Sequence, residues 1–225
     1  LGSFPSRRTA PDPALVELAA KLLRKAKQPL FICGGGVVIS GAESELTILA
    51  ENLGAPVATT ISGKGSIDER CAQSVGVVGS NGGTSETRAV VDAADVIVFV
   101  GCRAGSVTTE RWRHPAPGAC KVIHIDVDAA TAGANYKVDV PIVADAKLAL
   151  AALNEALEGV KRTLDASAVK QAREAKFAKF DALAGSLDRP IKPERVVAEL
   201  SNALDADAIV VADPGTPCPY LSAYY

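Results

Sequence analysis

The chain has 225 residues, with 24 lysine and arginine residues against 26 aspartate and glutamate residues, and a formal net charge of -2. This balance excludes a surface built to bind nucleic acid, which needs a clustered excess of positive charge. Hydrophobic residues make up 48% of the chain, yet no apolar run reaches the ~20 residues of a membrane span. We therefore expect an ordinary globular protein of the cytoplasm, neither membrane-spanning nor secreted.

Five cysteines are spread along the chain without a Cys-x-x-Cys pair. Zinc sites need paired soft ligands at short spacing, and disulfide frameworks are dense and usually even in number. The cysteines are therefore predicted to be reduced and mostly buried in the core, and no metal site is predicted.

The predicted elements alternate between helices and strands. Residues 1–11 are predicted to be a linker, and Asp12-Pro13 begins a helix because an N-cap residue is followed by proline at the first helical position. Apolar strands are predicted at 30–33, 56–60, 96–100, 121–125 and 138–143, and further helices at 42–53, 84–93 and 146–157. Continuous apolar strands separated by amphipathic helices predict an α/β fold at 12–157, a doubly wound, Rossmann-like parallel sheet of five or six strands.

A second, incomplete α/β segment is predicted after this sheet. Residues 158–190 are expected to form a helical linker, and residues 191–225 to begin a new unit with a helix from Glu194, a strand at Ala208–Val211 and a turn at Asp213–Thr216. The chain begins with Leu1, contains no methionine and ends soon after this turn. We therefore expect a fragment of a longer polypeptide.

Glycine-rich loops follow four of the predicted strands or turns. They are Gly34-Gly35-Gly36, Gly63-Lys64-Gly65, Gly79-Ser80-Asn81-Gly82 and Gly101-Cys102-Arg103. Glycine lets backbone N–H groups approach a diphosphate without a Cβ in the way, and loops at the carboxyl ends of parallel strands form a ligand crevice. The triple glycine is not the G-x-G-x-x-G fingerprint, because the next helix is expected to start late; a plain tight turn stays open.

Charged residues at the same strand ends could complete a nucleotide site. Arg103 could pair with a diphosphate or form a surface salt bridge, and Asp126 and Asp128 could accept hydrogen bonds from ribose or cap a helix. His124 lies inside an apolar strand and is predicted to be a hydrogen-bonded core residue rather than a base. The sequence contains no G-x-S-x-G, Walker A or H-E-x-x-H motif. The residues alone therefore predict a ligand-binding domain without catalytic residues of its own.

The order of several motifs resembles the central domain of thiamine-diphosphate-dependent enzymes, most of all the acetolactate synthase group. The motifs are Gly34-Gly35-Gly36, Thr59 to Gly65, Ala94 to Arg103, Val122 to Asp126 and Val138 to Asp145. The resemblance covers residues 12–157, and residues 191–225 resemble the opening of the family's diphosphate-binding domain. It implies a parent enzyme that acts on a small 2-oxo acid with thiamine diphosphate and Mg²⁺, as a homo-oligomer (a dimer or a tetramer). This chain alone is expected to be inactive.

The resemblance also implies which residues would line a nucleotide, either FAD or ADP, in the central domain. Carried over motif by motif, the cofactor-binding residues are Gly34, Gly35, Gly36, Thr60, Gly101, Arg103, Asp126 and Asp145, while Thr216 would touch the thiamine diphosphate of the next domain. One departure favours ADP or an empty site over FAD: acetolactate synthases continue with Phe-Asp-Asp-Arg where this chain has Ala104-Gly105-Ser106-Val107. The alternatives are a non-catalytic module of the electron-transfer-flavoprotein type and a purely structural oligomerisation domain.

Overall fold

The computed structural model describes Pro5 and residues 7–225, so part of the predicted linker lies outside the described residues. A six-stranded parallel sheet has the strand order β3-β2-β1-β4-β5-β6. The strands are β1 Pro29–Cys33, β2 Val57–Thr59, β3 Ser74–Val77, β4 Val96–Val100, β5 Lys121–Asp126 and β6 Val140–Val143. The helices are α1 Pro13–Lys25, α2 Gly35–Ser40, α3 Glu43–Leu53, α4 Ser85–Asp92, α5 Ala146–Ala156, α6 Ser167–Ala184, α7 Pro193–Ala203 and α8 Pro217–Tyr224.

The sheet confirms the predicted doubly wound α/β fold. Strands β1 and β4 lie side by side in its centre, and every residue of both is buried. Helices α1, α3 and α5 cover the face that carries Phe31, while α4 and α6 cover the opposite face around Ile32. Because both faces are covered by helices, the central strands are apolar throughout rather than alternating.

Local signals place the helix ends where the sequence predicted them. The Asp12 carboxylate accepts a hydrogen bond from the N–H of Ala14 at 2.8 Å and caps α1. Helix α3 ends at Gly54, whose φ of 57° lies in the left-handed region that favours glycine. None of the described helices is long and apolar enough to cross a membrane.

Three local predictions were wrong. No strand was predicted at 74–77, yet β3 lies there; this edge strand has four residues and contains Gly76, so it gives no clear strand pattern. Helix α2 does not start late: Gly34 is its N-cap and the helix begins at Gly35. The segment at 208–211 pairs with none of the described strands, and Ile209 and Val211 are 91% and 90% exposed, so their apolar character does not produce a strand here.

Candidate functional site

A cleft of about 940 Å³ lies along the carboxyl edge of the sheet. Residues that directly follow five neighbouring strands line it: Gly34, Thr60, Gly101, Val127 and Ala144. The cleft spans the junction between β1 and β4, where the order of the strands reverses direction along the chain. In open parallel sheets this is the usual position of a ligand crevice, and the volume is in the usual range for small-molecule sites.

Eight of the nine predicted site residues line this one cleft. They are Gly34, Gly35, Gly36, Thr60, Gly101, Arg103, Asp126 and Asp145. Thr216 is exposed in the turn before α8 and is not among the lining residues. The other two glycine-rich loops contribute only their neighbours, Thr60 to Ser62 and Val78, to the lining.

The glycines of the cleft floor are explained by close packing of two loops. A Cβ on Gly34 would lie 2.2 Å from the carbonyl oxygen of Gly101, and a Cβ on Gly36 would lie 2.6 Å from the Cα of Gly101. The Gly34 N–H donates to the Val100 oxygen at 2.8 Å, and the Gly36 N–H donates to the Gly101 oxygen at 3.0 Å. Among the described residues, only the Gly35 N–H of the three is left without a partner, so the glycines offer an anion fewer donors than predicted.

Two arginines supply the positive charge of the cleft. Arg103 and Arg7 both line it and are exposed, and no ion pair between described residues involves either of them. The surface salt bridge considered for Arg103 is therefore not formed within the described chain. Arg7 was missed by the sequence analysis because it lies in the predicted linker; its signal was the Arg7-Arg8 pair.

The acidic residues after β5 divide their roles. Asp126 is half-buried, lines the cleft and accepts a hydrogen bond from the Asp128 N–H through one oxygen at 3.0 Å. Asp128 accepts from the Ala130 N–H and the Thr131 hydroxyl, both at 2.9 Å, and these hydrogen bonds hold its pKa below the usual range. Asp128 thus caps a turn, while Asp126 lines the cleft and its second oxygen accepts no hydrogen bond from the described residues.

Asp145 faces the cleft but its carboxylate is occupied by protein groups. It caps α5 through the Leu148 N–H at 3.2 Å, and it accepts hydrogen bonds from Arg8 Nη1 at 2.8 and 2.9 Å and from the Ser40 hydroxyl at 2.9 Å. Burial alone would raise the pKa of Asp145, but the hydrogen bonds from Arg8 and Ser40 outweigh it and lower the pKa. The carboxylate is therefore ionised and fully engaged.

His124, behind the cleft, and Cys102, in its lining, are both buried. His124 is 1% exposed, and its Nε2 lies 2.8 Å from the Cys102 oxygen while the Gly133 N–H donates to its Nδ1 at 3.3 Å. Burial lowers the pKa of His124 and raises that of the Cys102 thiol to about 11. Both groups are neutral near pH 7, which agrees with the predicted structural role and leaves no nucleophile–base pair here.

A comparison with protein families decides the assignment. The model of the thiamine pyrophosphate enzyme central domain matches residues 16–153, which contain the whole sheet and nearly all of the cleft. The chain belongs to this family.

The relatives of this thiamine pyrophosphate enzyme domain include acetolactate synthases. The chain is 35% identical to the probable acetolactate synthase large subunit of Methanocaldococcus jannaschii, over 97% of this chain and 37% of the relative. It is 35% identical to that of Methanococcus aeolicus over 96% of this chain and 38% of the relative, and 33% identical to the acetolactate synthase of Mycobacterium avium over 92% and 34%. The chain thus spans little more than a third of the length of these relatives.

The residues of this central domain do not fit a thiamine diphosphate and Mg²⁺ site. Within Pro5 and residues 7–225, no group of three or more His, Cys, Asp or Glu side chains could hold a metal ion. A divalent cation with a diphosphate needs such oxygen ligands. No chemical step is therefore assigned to that cofactor on this chain.

Proposed function

We propose that the chain is the central domain of a thiamine-diphosphate-dependent enzyme that decarboxylates or ligates 2-oxo acids, as acetolactate synthase does. The family match and the three named relatives support this proposal. In the proposed parent, thiamine diphosphate with Mg²⁺ supplies the carbanion chemistry, and the resemblance favours a cytoplasmic homo-oligomer. The comparisons give the electron-transfer-flavoprotein alternative no support.

The isolated chain is expected to be catalytically inactive. Purified protein mixed with thiamine diphosphate, Mg²⁺ and pyruvate should release no carbon dioxide above the rate of a protein-free control. Pyruvate turnover that depends on added thiamine diphosphate would contradict this expectation and would require a cofactor site that the described residues do not provide.

The role proposed for this domain is to bind the diphosphate of a nucleotide, FAD or ADP, in the cleft. The observation that carries the proposal is that two guanidinium groups, Arg7 and Arg103, lie at a glycine-floored cleft on the carboxyl edge of the sheet and form no ion pair with any described residue. Charge-assisted hydrogen bonds from arginine to phosphate are strong and bidentate. Asp126 lies where it could accept a hydrogen bond from a ribose hydroxyl. The residues present therefore fit a nucleotide, although the glycine amides contribute less than predicted.

Replacing Arg103 by alanine should weaken nucleotide binding by about tenfold or more, because one charge-assisted contact to the diphosphate is lost. Calorimetric titration of FAD and of ADP into wild type and Arg103→Ala measures this, and the visible absorption of the purified protein reports retained flavin. Arg70→Ala is the control, since Arg70 is highly exposed, pairs with Asp68 and does not line the cleft. Tight binding unchanged in Arg103→Ala would place the ligand elsewhere. If neither nucleotide binds, the cleft is structural.

A further inference from the structure

A polar cluster around the buried Asp145 carboxylate ties the segment before α1 to the body of the domain. Arg8 Nη1 lies 2.8–2.9 Å from both carboxylate oxygens of Asp145, from the Ser40 hydroxyl and from the Ser40 carbonyl oxygen. The Asp145 N–H also donates to the Thr9 oxygen at 2.9 Å, and the Lys147 N–H donates to the Ser40 hydroxyl at 3.0 Å. The cluster therefore joins the entering chain, the end of α2 and the start of α5.

The cluster is built for structure rather than for direct contact with a ligand. Ser40 and Asp145 are 4% and 6% exposed, so the carboxylate lies in a poorly solvated position where an unpaired charge would be costly. Both oxygens of Asp145 lie within hydrogen-bond distance of Arg8 Nη1 and of the Ser40 hydroxyl, and one also accepts from the Leu148 N–H. A ribose hydroxyl could gain Asp145 only by displacing these partners.

The neighbouring arginine has the opposite environment. Arg8 is neutralised by Asp145, whereas Arg7 lines the cleft and takes part in none of the ion pairs between described residues. Arg8 therefore fixes the backbone through its ion pair, while the adjacent Arg7 remains at the cleft. Holding the backbone of Arg7 in place before a ligand arrives removes part of the ordering entropy that binding would otherwise cost.

We infer that Arg8, Ser40 and Asp145 form a lock that positions Arg7 for the diphosphate of the nucleotide. This inference rests on the proposed function. Arg8 and Asp145 are then positioning residues, and Asp145 acts on binding through Arg7 rather than as an acceptor for ribose.

A double-mutant cycle with ADP tests whether Arg8 acts through Arg7. Arg7→Ala and Arg8→Ala should each weaken ADP binding by about tenfold, and the double variant should bind no more weakly than Arg7→Ala alone. Asp145→Asn should reproduce Arg8→Ala, since asparagine keeps a good N-cap for α5 but loses the charge that holds Arg8. Additive losses for Arg7→Ala and Arg8→Ala, or wild-type affinity in Arg8→Ala, would overturn the inference. So would a further loss when Asp145→Asn is combined with Arg7→Ala, since that would indicate direct contact of Asp145 with ADP.

A measurement without ligand separates this inference from the proposed function. The N–H of residue 145 donates to the Thr9 oxygen, so its hydrogen exchange reports whether the entering segment stays in place. It should exchange faster in Arg8→Ala and in Asp145→Asn than in wild type, at unchanged exchange in the central strand β4. Unchanged exchange at this amide in both variants would overturn the lock. If wild type binds neither ADP nor FAD, the proposed function fails, while the exchange data still show whether the lock exists.

Discussion

Gly34→Ala is expected to destabilise the domain by at least about 3 kcal/mol, because the added methyl group has no room. The Cβ would lie 2.2 Å from the Gly101 carbonyl oxygen and 2.8 Å from the Cys102 Cα, so the conflict is with backbone and cannot be relieved by a rotamer change. The loops after β1 and β4 would have to separate. Urea denaturation followed by circular dichroism measures the free energy of unfolding.

Gly105→Ala is the matched control for this prediction. Gly105 lines the same cleft, but a Cβ there would meet nothing within 4 Å and its φ lies outside the left-handed region. Its free energy of unfolding should stay within about 1 kcal/mol of wild type, on the stabilising side if the backbone is compatible. A second close-packed position, Gly63, should behave like Gly34, since its Cβ would lie 2.0 Å from the Cys33 oxygen. Wild-type stability in both Gly34→Ala and Gly63→Ala would contradict the close backbone packing at these two glycines.

Lys176→Met is expected to stabilise the domain by on the order of 2 kcal/mol at pH 7. Lys176 is 5% exposed, and its ammonium lies over the rings of Phe177 and Tyr224, 5.2 and 5.4 Å from their centroids, without an ion pair among the described residues. Burial lowers the pKa of Lys176 from 10.5 to about 8. The loss of the two cation–π contacts offsets part of the gain.

The pH dependence gives this prediction its sign. Below pH 8 the lysine is protonated in both the folded and the unfolded chain, so the whole cost of burying the ammonium is present. Between pH 8 and 10.5 the folded lysine loses its proton while the unfolded one keeps it, and the stability of wild type rises towards that of Lys176→Met. Thermal unfolding of both proteins should be measured from pH 6 to 10.5. The difference in stability between Lys176→Met and wild type should shrink as the pH rises, whatever pH dependence the two proteins share.

The control for this prediction must separate the effect of burial from the effect of removing a lysine charge. Glu69 and Glu86 favour its charged form, and Lys64 and Arg173 oppose it, but burial is the largest influence. Lys170→Met is the matched control on the same helix, because its side chain is 73% exposed and its one ion pair with a described residue is to Glu174. It should change stability by less than about 0.5 kcal/mol. A destabilised Lys176→Met protein at pH 7 would show that the cation–π contacts outweigh burial.

The sequence predicts the sheet well because its strands are buried on both faces. Strands β1, β4 and β5 are apolar runs between helical patterns, and a doubly wound sheet is what such runs can form. Strand β3 was not predicted, because it is short and contains Gly76. Residues 208–211 have the same apolar character as a strand, yet pairing depends on a neighbour in space, which local sequence does not encode.

The sequence predicts which edge of the sheet carries the candidate site, but not the hydrogen bonds that its residues make. Residues at strand ends must meet at one edge of a parallel sheet, so Gly34, Gly101 and Asp126 could be grouped from sequence. The hydrogen bonds of Asp145 could not, because its partner Arg8 is far away in the chain and lies in a segment without periodicity. From sequence alone, a glycine that leaves room for a ligand cannot be told from one that leaves room for another loop. At Gly34 and Gly36, the short distances to Gly101 show that the neighbour is another loop.

The position of the cleft across the β1–β4 junction has a consequence for the folding order of the chain. Pro29 pairs with Val96 and Cys33 with Val100, so this junction joins the two halves of the sheet through contacts far apart in sequence. Local crossovers such as β1–α3–β2 can form within a half, whereas closing such a long loop is entropically costly and slow. The Gly34–Val100 hydrogen bond belongs to the same junction. A partly folded chain with only one half in place has no cleft, so nucleotide binding would report completion of the whole sheet rather than formation of either half.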